Sequence, residues 1–241
     1  MRLTRALALG LLHGPAELLP VSSSAHAGLL LADVEPARRK EIEVALHAVT
    51  LLALGPPRLE AWLLVATAPA ALAGLLFEKP IEERLGTGGG LAAGLVAGAG
   101  AMWAADARAE RDARGERRGA TPSLGDAGLL GAAQAAALVP GVSRHGAALT
   151  ALRARGFARE DAHSISREAS KPVLLGAAAL KGWRIVQRRE VDVEVVVAAA
   201  ASAVSTAVAA RVLAGRGLRA PLWPYAVYRG GLAAAVLARA T

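Results

Sequence analysis

The chain contains no cysteine. Disulfides, thiolate nucleophiles and Cys-type zinc sites are therefore excluded. Aromatic residues are almost as scarce: Phe, Trp and Tyr make up 3% of the 241 residues although 54% are hydrophobic. The apolar mass is Ala, Leu and Val, a bias that fits a soluble Ala-rich helical protein as well as a membrane one. Missing charge separates the two. Leu85–Ala105, Val195–Ala210 and Ala220–Tyr228 carry no charged residue. A soluble amphipathic helix carries a charged or polar face along its whole length. A bilayer core instead needs ~20 mostly apolar residues per spanning helix, and each charge inside it costs ~2.5–3.5 kcal/mol. The charges present collect in bursts at Glu35–Glu41, Glu78–Arg84, Asp106–Arg118, Lys181–Asp192 and Arg216–Arg219. This pattern predicts an all-α, polytopic helical bundle in a lipid bilayer.

The formal net charge is +8. In a soluble domain that would suggest nucleic acid. Here the basic residues stand between apolar spans, where Lys and Arg act as topogenic signals, so no nucleic-acid partner is expected. The Asp106–Arg118 burst mixes five Arg with four acids and reads as a solvated loop. Near the start, Arg2, Arg5, Ala6–Leu12 and Ala25-His26-Ala27 loosely imitate a cleavable signal. That apolar stretch is short and runs into His13, Glu17, Pro20 and three serines, so cleavage is not expected.

Ten apolar segments follow one another: Leu3–Leu19, Ala25–Ala32, Ile42–Leu54, Ala61–Phe77, Gly88–Ala105, Leu124–Val139, Ala147–Leu152, Val173–Leu180, Val193–Leu213 and Leu222–Ala238. Several are too short to cross ~30 Å at ~1.5 Å per residue. The shortest flank two polar motifs, Pro20–His26 and Pro140–Gly146. Both motifs run from an apolar segment into proline, then a serine-bearing turn, then a second apolar stretch, and their prolines lie 120 positions apart. Paired interruptions at matching places in two halves are the mark of an internal repeat whose broken helices meet near the midplane. Residues 1–105 and 120–241 are the expected halves of one membrane domain, joined by a charged loop at 106–119. Proline removes a backbone N–H and disfavours helix in the residue before it. Irregular backbone at membrane depth is tolerated only inside protein or beside a watery cavity, which places a polar pocket between the two breaks. Gly86, Gly90, Gly94 and Gly98 form a smooth face for close helix packing, against either this chain or a second copy.

The pocket has two chemically distinct sides. Arg144 sits among residues that otherwise belong in a membrane, and an intramembrane arginine is a functional candidate by default. Its planar fork suits phosphate. Gly141 permits a tight turn, the N–H groups after it form an anion-binding nest or helix start, and Ser143 and His145 add donors. On the other side Glu17 binds a metal ion or acts as a base. Ser22, Ser23 and Ser24 offer hydroxyls, and His26 shuttles a proton. His13 stands four residues before Glu17 on the same helical face. An anionic, imidazole-bearing side facing an arginine and amide side fits phosphoryl transfer, where positioning and charge neutralisation dominate.

At these residues the sequence resembles the undecaprenyl-diphosphate phosphatase family, the bacterial membrane enzymes associated with bacitracin resistance. Glu17-Leu18-Leu19-Pro20-Val21-Ser22-Ser23-Ser24-Ala25-His26 is similar to the family's E-F-L-P-[IV]-S-S-T-G-H element. Pro140-Gly141-Val142-Ser143-Arg144-His145-Gly146 is similar to its P-G-x-S-R-S-G element. Weaker similarity continues at Glu43, at Gly131–Leu138 and at Tyr228-Arg229. The resemblance implies hydrolysis of undecaprenyl diphosphate to the monophosphate, recycling the carrier of cell-wall (peptidoglycan) precursors. It implies an inverted-repeat bundle with two re-entrant helix pairs in the bacterial plasma membrane, a homodimer, and dependence on Mg²⁺ or Ca²⁺. By motif match the family's second glutamate falls on Glu17, its serines on Ser22 and Ser23, its histidine on His26 and its arginine on Arg144. Together with the reading of the residues, this makes Glu17, Ser23, His26 and Arg144 the catalytic candidates, Glu17 the metal-ligand candidate, and Ser22, Ser24, Gly141, Ser143 and His145 the phosphate-contact candidates.

Three departures mark a divergent member. His13 stands where the family has an earlier glutamate, His145 and Ala148 replace a serine and a threonine, and an apolar segment becomes Ser166-Arg167-Glu168-Ala169-Ser170-Lys171. Two readings of that segment stand open: Glu168 or the extra histidines compensate for the lost carboxylate, or Arg167, Glu168 and Lys171 lie at the membrane surface. His13, Glu43 and Glu168 are auxiliary candidates. The type-2 phosphatidic-acid phosphatase pattern is excluded, because the position that must hold its histidine holds Thr150. A lipid-phosphate transporter using the same pocket is the alternative.

Overall fold

The computed structural model describes residues 2–58, 60–112, 115–188, 192–216 and 218–240, so parts of the 106–119 connection and of the Lys181–Asp192 burst lie outside it. The described residues form ten helices: α1 Leu3–Leu18, α2 Ser23–Leu30, α3 Pro36–Leu54, α4 Ala61–Leu85, α5 Gly88–Arg111, α6 Leu124–Ala136, α7 Arg144–Ala154, α8 Arg159–Arg188, α9 Val193–Arg216 and α10 Trp223–Ala240. Each apolar segment of the sequence corresponds to one of them. Three are long and apolar enough to cross a membrane: Ala61–Leu85, Gly88–Arg111 and the Val193–Ala214 portion of α9. Their outer faces expose Leu64, Leu72, Leu75, Leu76, Val96, Val204 and Val208, the surface expected where lipid rather than water is the solvent.

The helix contacts follow a repeating scheme. α1 packs on α9 as α6 packs on α4; α3 lies against α9 as α8 lies against α4; α2 leans on α3 as α7 leans on α8; and α5 and α10 pack on each other. Small residues make the first pair of contacts possible. Gly10 and Gly14 of α1 press directly on the α9 backbone, where any Cβ on Gly10 would meet Ala201 Cβ at 2.7 Å. Ser205 of α9 donates to the Gly10 carbonyl at 2.9 Å. Between α6 and α4, Gly131 leaves room for Pro69, and Gln134 Nε2 donates to the Ala66 carbonyl at 2.9 Å. Helix association in lipid depends on such backbone approach and interhelical hydrogen bonds. The glycine stripe of α5 is used inside the chain: Gly94 meets the Pro140–Val142 turn and Gly98 meets the Arg229 guanidinium.

The solvated-loop expectation for Asp106–Arg118 needs correction. α5 continues to Arg111, because helical Arg, Glu and Asp residues carry the chain beyond the apolar span. Asp106, 2% exposed, accepts from Arg153 at 2.8 Å, from Arg159 at 2.9 Å and from the Leu222 N–H at 3.0 Å. Arg117 stacks over Phe157 with its guanidinium carbon 3.9 Å from the ring centroid. It exchanges backbone hydrogen bonds with Gly156 and Ala158. Asp126 closes a capping box with Ser123 and pairs with Arg117 at 2.9 Å and Arg155 at 2.7 Å. Burial would raise the Asp126 carboxyl, but hydrogen bonds from Arg117, Arg155 and Ser123 outweigh it and hold the group below the usual carboxylate range.

Candidate active site

Both proline motifs break helices by the same device. α1 ends at Leu18, Leu19 is extended, and Ser22 adopts φ 71°, the one left-handed residue other than glycine among those described. α2 starts at the next residue. In the second motif, α6 gives way to tight turns through Leu138 and Val139, Gly141 adopts φ +87°, and α7 starts at Arg144. Ser143 caps α7 by accepting from the Gly146 N–H at 3.1 Å. The Arg144 and His145 N–H groups of that first turn are left for another acceptor, as at any helix start. A non-glycine residue held at positive φ stores strain of about 1–3 kcal/mol and is characteristic of functional turns.

The two breaks meet through one ion pair. Arg144 Nη1 lies 3.3 Å from Glu17 Oε1, joining residues 127 positions apart. The opposite oxygen, Glu17 Oε2, accepts the Ser23 hydroxyl at 2.6 Å and lies 3.2 Å from His47 Nε2. The Glu17 and Arg144 side chains are 10% and 25% exposed, so the pair is largely buried and its arginine is the more accessible partner. Arg144 makes no other hydrogen bond among the described residues, and the rest of its fork is available to a phosphate group.

His13 lies edge-on to His47, with ring centroids 5.1 Å apart. Its Nδ1 is held by Ser202 at 3.1 Å and lies 3.5 Å from Thr50. A ring nitrogen of His13, one of His47 and a Glu17 oxygen lie within 4.8 Å of one another. Nothing in the sequence singles out His47, a lone imidazole on an apolar helix. Glu43, one turn earlier on α3, is partly buried and makes no hydrogen bond among the described residues.

Other residues are placed nearby but outside this cluster. His26 Nδ1 donates to the Ser22 carbonyl at 2.8 Å. Its Nε2 in the neutral ring therefore accepts from the Tyr228 hydroxyl, 2.6 Å away, and the two rings stack. Ser22 and Ser24 hydroxyls bond to each other at 3.2 Å. From α10, Arg229 reaches under the second turn, donating to the Gly141 carbonyl at 3.1 Å and lying 3.5 Å from that of Gly94. It is fully buried, and its Nε and Nη1 have no partner among the described residues. The sequence signals Arg229 only through the weak similarity at Tyr228-Arg229.

Two expectations change. His145 supplies no donor to a phosphate by its side chain, because Ser166 takes Nδ1 at 2.7 Å and His163 takes Nε2 at 2.9 Å. Glu168 does not join Glu17 either; it is bound by Lys171 at 2.6 Å on the same turn of α8. Lys171 is itself buried and lies 3.4 Å from the Pro56 carbonyl, so the segment packs against the connection between α3 and α4.

A bundle with two broken helix pairs whose polar ends meet at a carboxylate and an arginine, and with three helices long and apolar enough to cross a bilayer, defines a multi-pass membrane protein. The chain belongs to the family described as bacitracin resistance protein BacA, whose sequence model matches residues 56–235. It is 36% identical over 240 residues to an undecaprenyl-diphosphatase of Anaeromyxobacter dehalogenans (strain 2CP-C), covering 87% of this chain and 80% of the relative. The undecaprenyl-diphosphatase of Trichlorobacter lovleyi is 33% identical over 281 residues, covering 99% and 97%. That of Geobacter sulfurreducens is 33% identical over 268 residues, covering 99% and 98%.

Proposed function

We propose that this chain hydrolyses undecaprenyl diphosphate to undecaprenyl phosphate and inorganic phosphate, as the names of its relatives describe. The Glu17–Arg144 ion pair carries the reading for the site, because it brings the two motifs into one pocket. None of the three relatives is named a transporter, and the lipid-transporter alternative has no comparable support.

In the proposed mechanism the distal phosphate binds the free side of Arg144 and the open N–H groups at the start of α7, within reach of Gly141 and Ser143. Glu17 Oε2, already accepting from Ser23, takes the hydroxyl proton as Ser23 Oγ attacks phosphorus. The phosphorus–oxygen bond to the lipid phosphate breaks, and undecaprenyl phosphate leaves. Water then hydrolyses the phosphoserine, giving inorganic phosphate and restoring the hydroxyl. A water activated by Glu17 is the competing nucleophile; the 2.6 Å contact favours Ser23. His26, with Tyr228, handles the proton of the leaving side. A divalent cation held with Glu17 as its carboxylate ligand neutralises phosphate charge when bound. Residues 1–105 and 120–241 are proposed as halves of an inverted repeat, and the bacterial plasma membrane as the location.

The test is phosphate release by Arg144→Ala, Glu17→Gln and Ser23→Ala, each checked for folding. Each loses at least about 10²-fold, the scale of a removed charge-stabilising or acid–base group. Near-parental release by Arg144→Ala defeats the clamp assignment, and near-parental release by Ser23→Ala shifts the nucleophile to water.

A further inference from the structure

We propose that His13, Glu17 and His47 form a site for a first-row transition ion of the zinc class, in place of the Mg²⁺ or Ca²⁺ that family resemblance implies. His13 and Glu17 project from one face of α1, four positions apart, and His47 comes from α3. Their donor atoms lie within 4.8 Å of one another. Two ligand atoms on one zinc stand about 3.3 Å apart, from bond lengths of about 2.0–2.1 Å in a tetrahedron. His47 Nε2 and Glu17 Oε2 are 3.2 Å apart, already at that spacing.

His13 gives the independent observation. It is 3% exposed, and its Nε2 is buried with no hydrogen-bond partner among the described residues. A buried polar nitrogen left unpaired costs about 1–3 kcal/mol, so an ordinary core histidine is a poor account of it. Its other nitrogen is held by Ser202 at 3.1 Å, the kind of outer-shell hydrogen bond that orients a ligating imidazole.

The donor set selects the metal. Mg²⁺ and Ca²⁺ are bound through oxygen, with six or more ligands; this cluster offers one carboxylate and two imidazoles. Two histidines, one carboxylate and an open position is the pattern of zinc and neighbouring borderline ions. With histidine at positions 13 and 47 and a single carboxylate at position 17, the donor set is nitrogen-rich. The inference concerns the pocket of the proposed function but stands on its donor atoms, so metal content and turnover are read separately.

The experiment uses tag-free, full-length protein in detergent, stripped with chelator, equilibrated separately with Zn²⁺, Co²⁺, Mg²⁺ or Ca²⁺, and desalted. Elemental analysis is expected to find about one zinc or cobalt per chain and no retained magnesium or calcium, with cobalt giving visible d–d absorption. His13→Gln and His47→Gln each weaken zinc binding by more than about tenfold. His13→Glu, which restores the second carboxylate, shifts preference towards Mg²⁺ and serves if either glutamine variant misfolds. The proposal is overturned by a parent protein that retains neither zinc nor cobalt, by tighter retention of Mg²⁺ or Ca²⁺, or by undiminished zinc in both folded glutamine variants. Phosphate release without zinc binding sinks this inference alone, whereas zinc binding without release sinks the proposed activity alone.

Discussion

Replacing Gly141 with alanine probes how the second break holds the pocket. The residue sits at φ +87°, where an L side chain costs roughly 1–2 kcal/mol. Its new Cβ would also strike the backbone of α5, meeting the Leu95 nitrogen at 2.8 Å and the Leu91 carbonyl carbon at 3.1 Å. Backbone cannot rotate away as a side chain can, so overpacking adds about 1–3 kcal/mol. The sum, about 2–5 kcal/mol, is a large fraction of a typical folding free energy. The strain is relieved by moving the turn that carries Ser143 and Arg144, and a misplacement of about 1 Å at a reacting centre costs on the order of 10²-fold in rate. Thermal unfolding in detergent and phosphate release are measured on the same preparations. Gly74→Ala serves as control, because Gly74 lies within α4 with nothing within 4 Å of a new Cβ. That control stays neutral or gains about 0.5–1 kcal/mol. If Gly141→Ala keeps both the parental melting temperature and parental turnover, the placement of this turn against α5 is wrong.

Asp126→Asn breaks a buried carboxylate's bonds to Arg117 and Arg155 and destabilises at neutral pH by about 3–5 kcal/mol. Because the folded carboxyl lies below its ordinary value, its contribution is complete above about pH 4 and fades as pH falls towards the folded value. The melting-temperature gap between parent and variant therefore holds from neutral pH to about pH 5 and narrows below about pH 4; a gap independent of pH refutes the pairing. Arg229→Met removes two unpartnered nitrogens, Nε and Nη1, but also the donor to the Gly141 carbonyl, so its melting temperature changes little while turnover falls more than about tenfold. Parental turnover in that variant shows that Arg229 does not support the second turn.

Absent charge and paired proline breaks make the architecture legible in the sequence itself. Apolar segments locate helices wherever hydrophobic patterning is their signal, and so the polar turns at 36–41, 106–111 and 159–172 are underestimated. Those turns are helical for other reasons: Pro36 at a first turn behind Glu35, and charged residues that pair across helices, as Asp106 does with Arg153 and Arg159. Glu17, Ser23 and Arg144 are readable because each is costly in a membrane and sits beside a break. His47 is not, since a lone histidine on an apolar helix has no local partner and joins Glu17 only through the packing of α1 with α3. The opposite failure befalls His145 and Glu168, whose chemistry suits the pocket but whose bonds are satisfied by Ser166, His163 and Lys171. Residue type shows what a side chain can do, and only tertiary packing shows which partner it has.

The proposed function requires that the pocket cleave its lipid rather than carry it. The direct measurement incubates purified parent protein and Arg144→Ala with undecaprenyl diphosphate in detergent, supplied in turn with zinc, magnesium and calcium, and quantifies inorganic phosphate and lipid monophosphate. Equal amounts of the two products are expected from the parent and next to none from the variant. Folded parent protein that yields neither product with any of these ions, yet moves the labelled lipid across vesicle membranes, would contradict it.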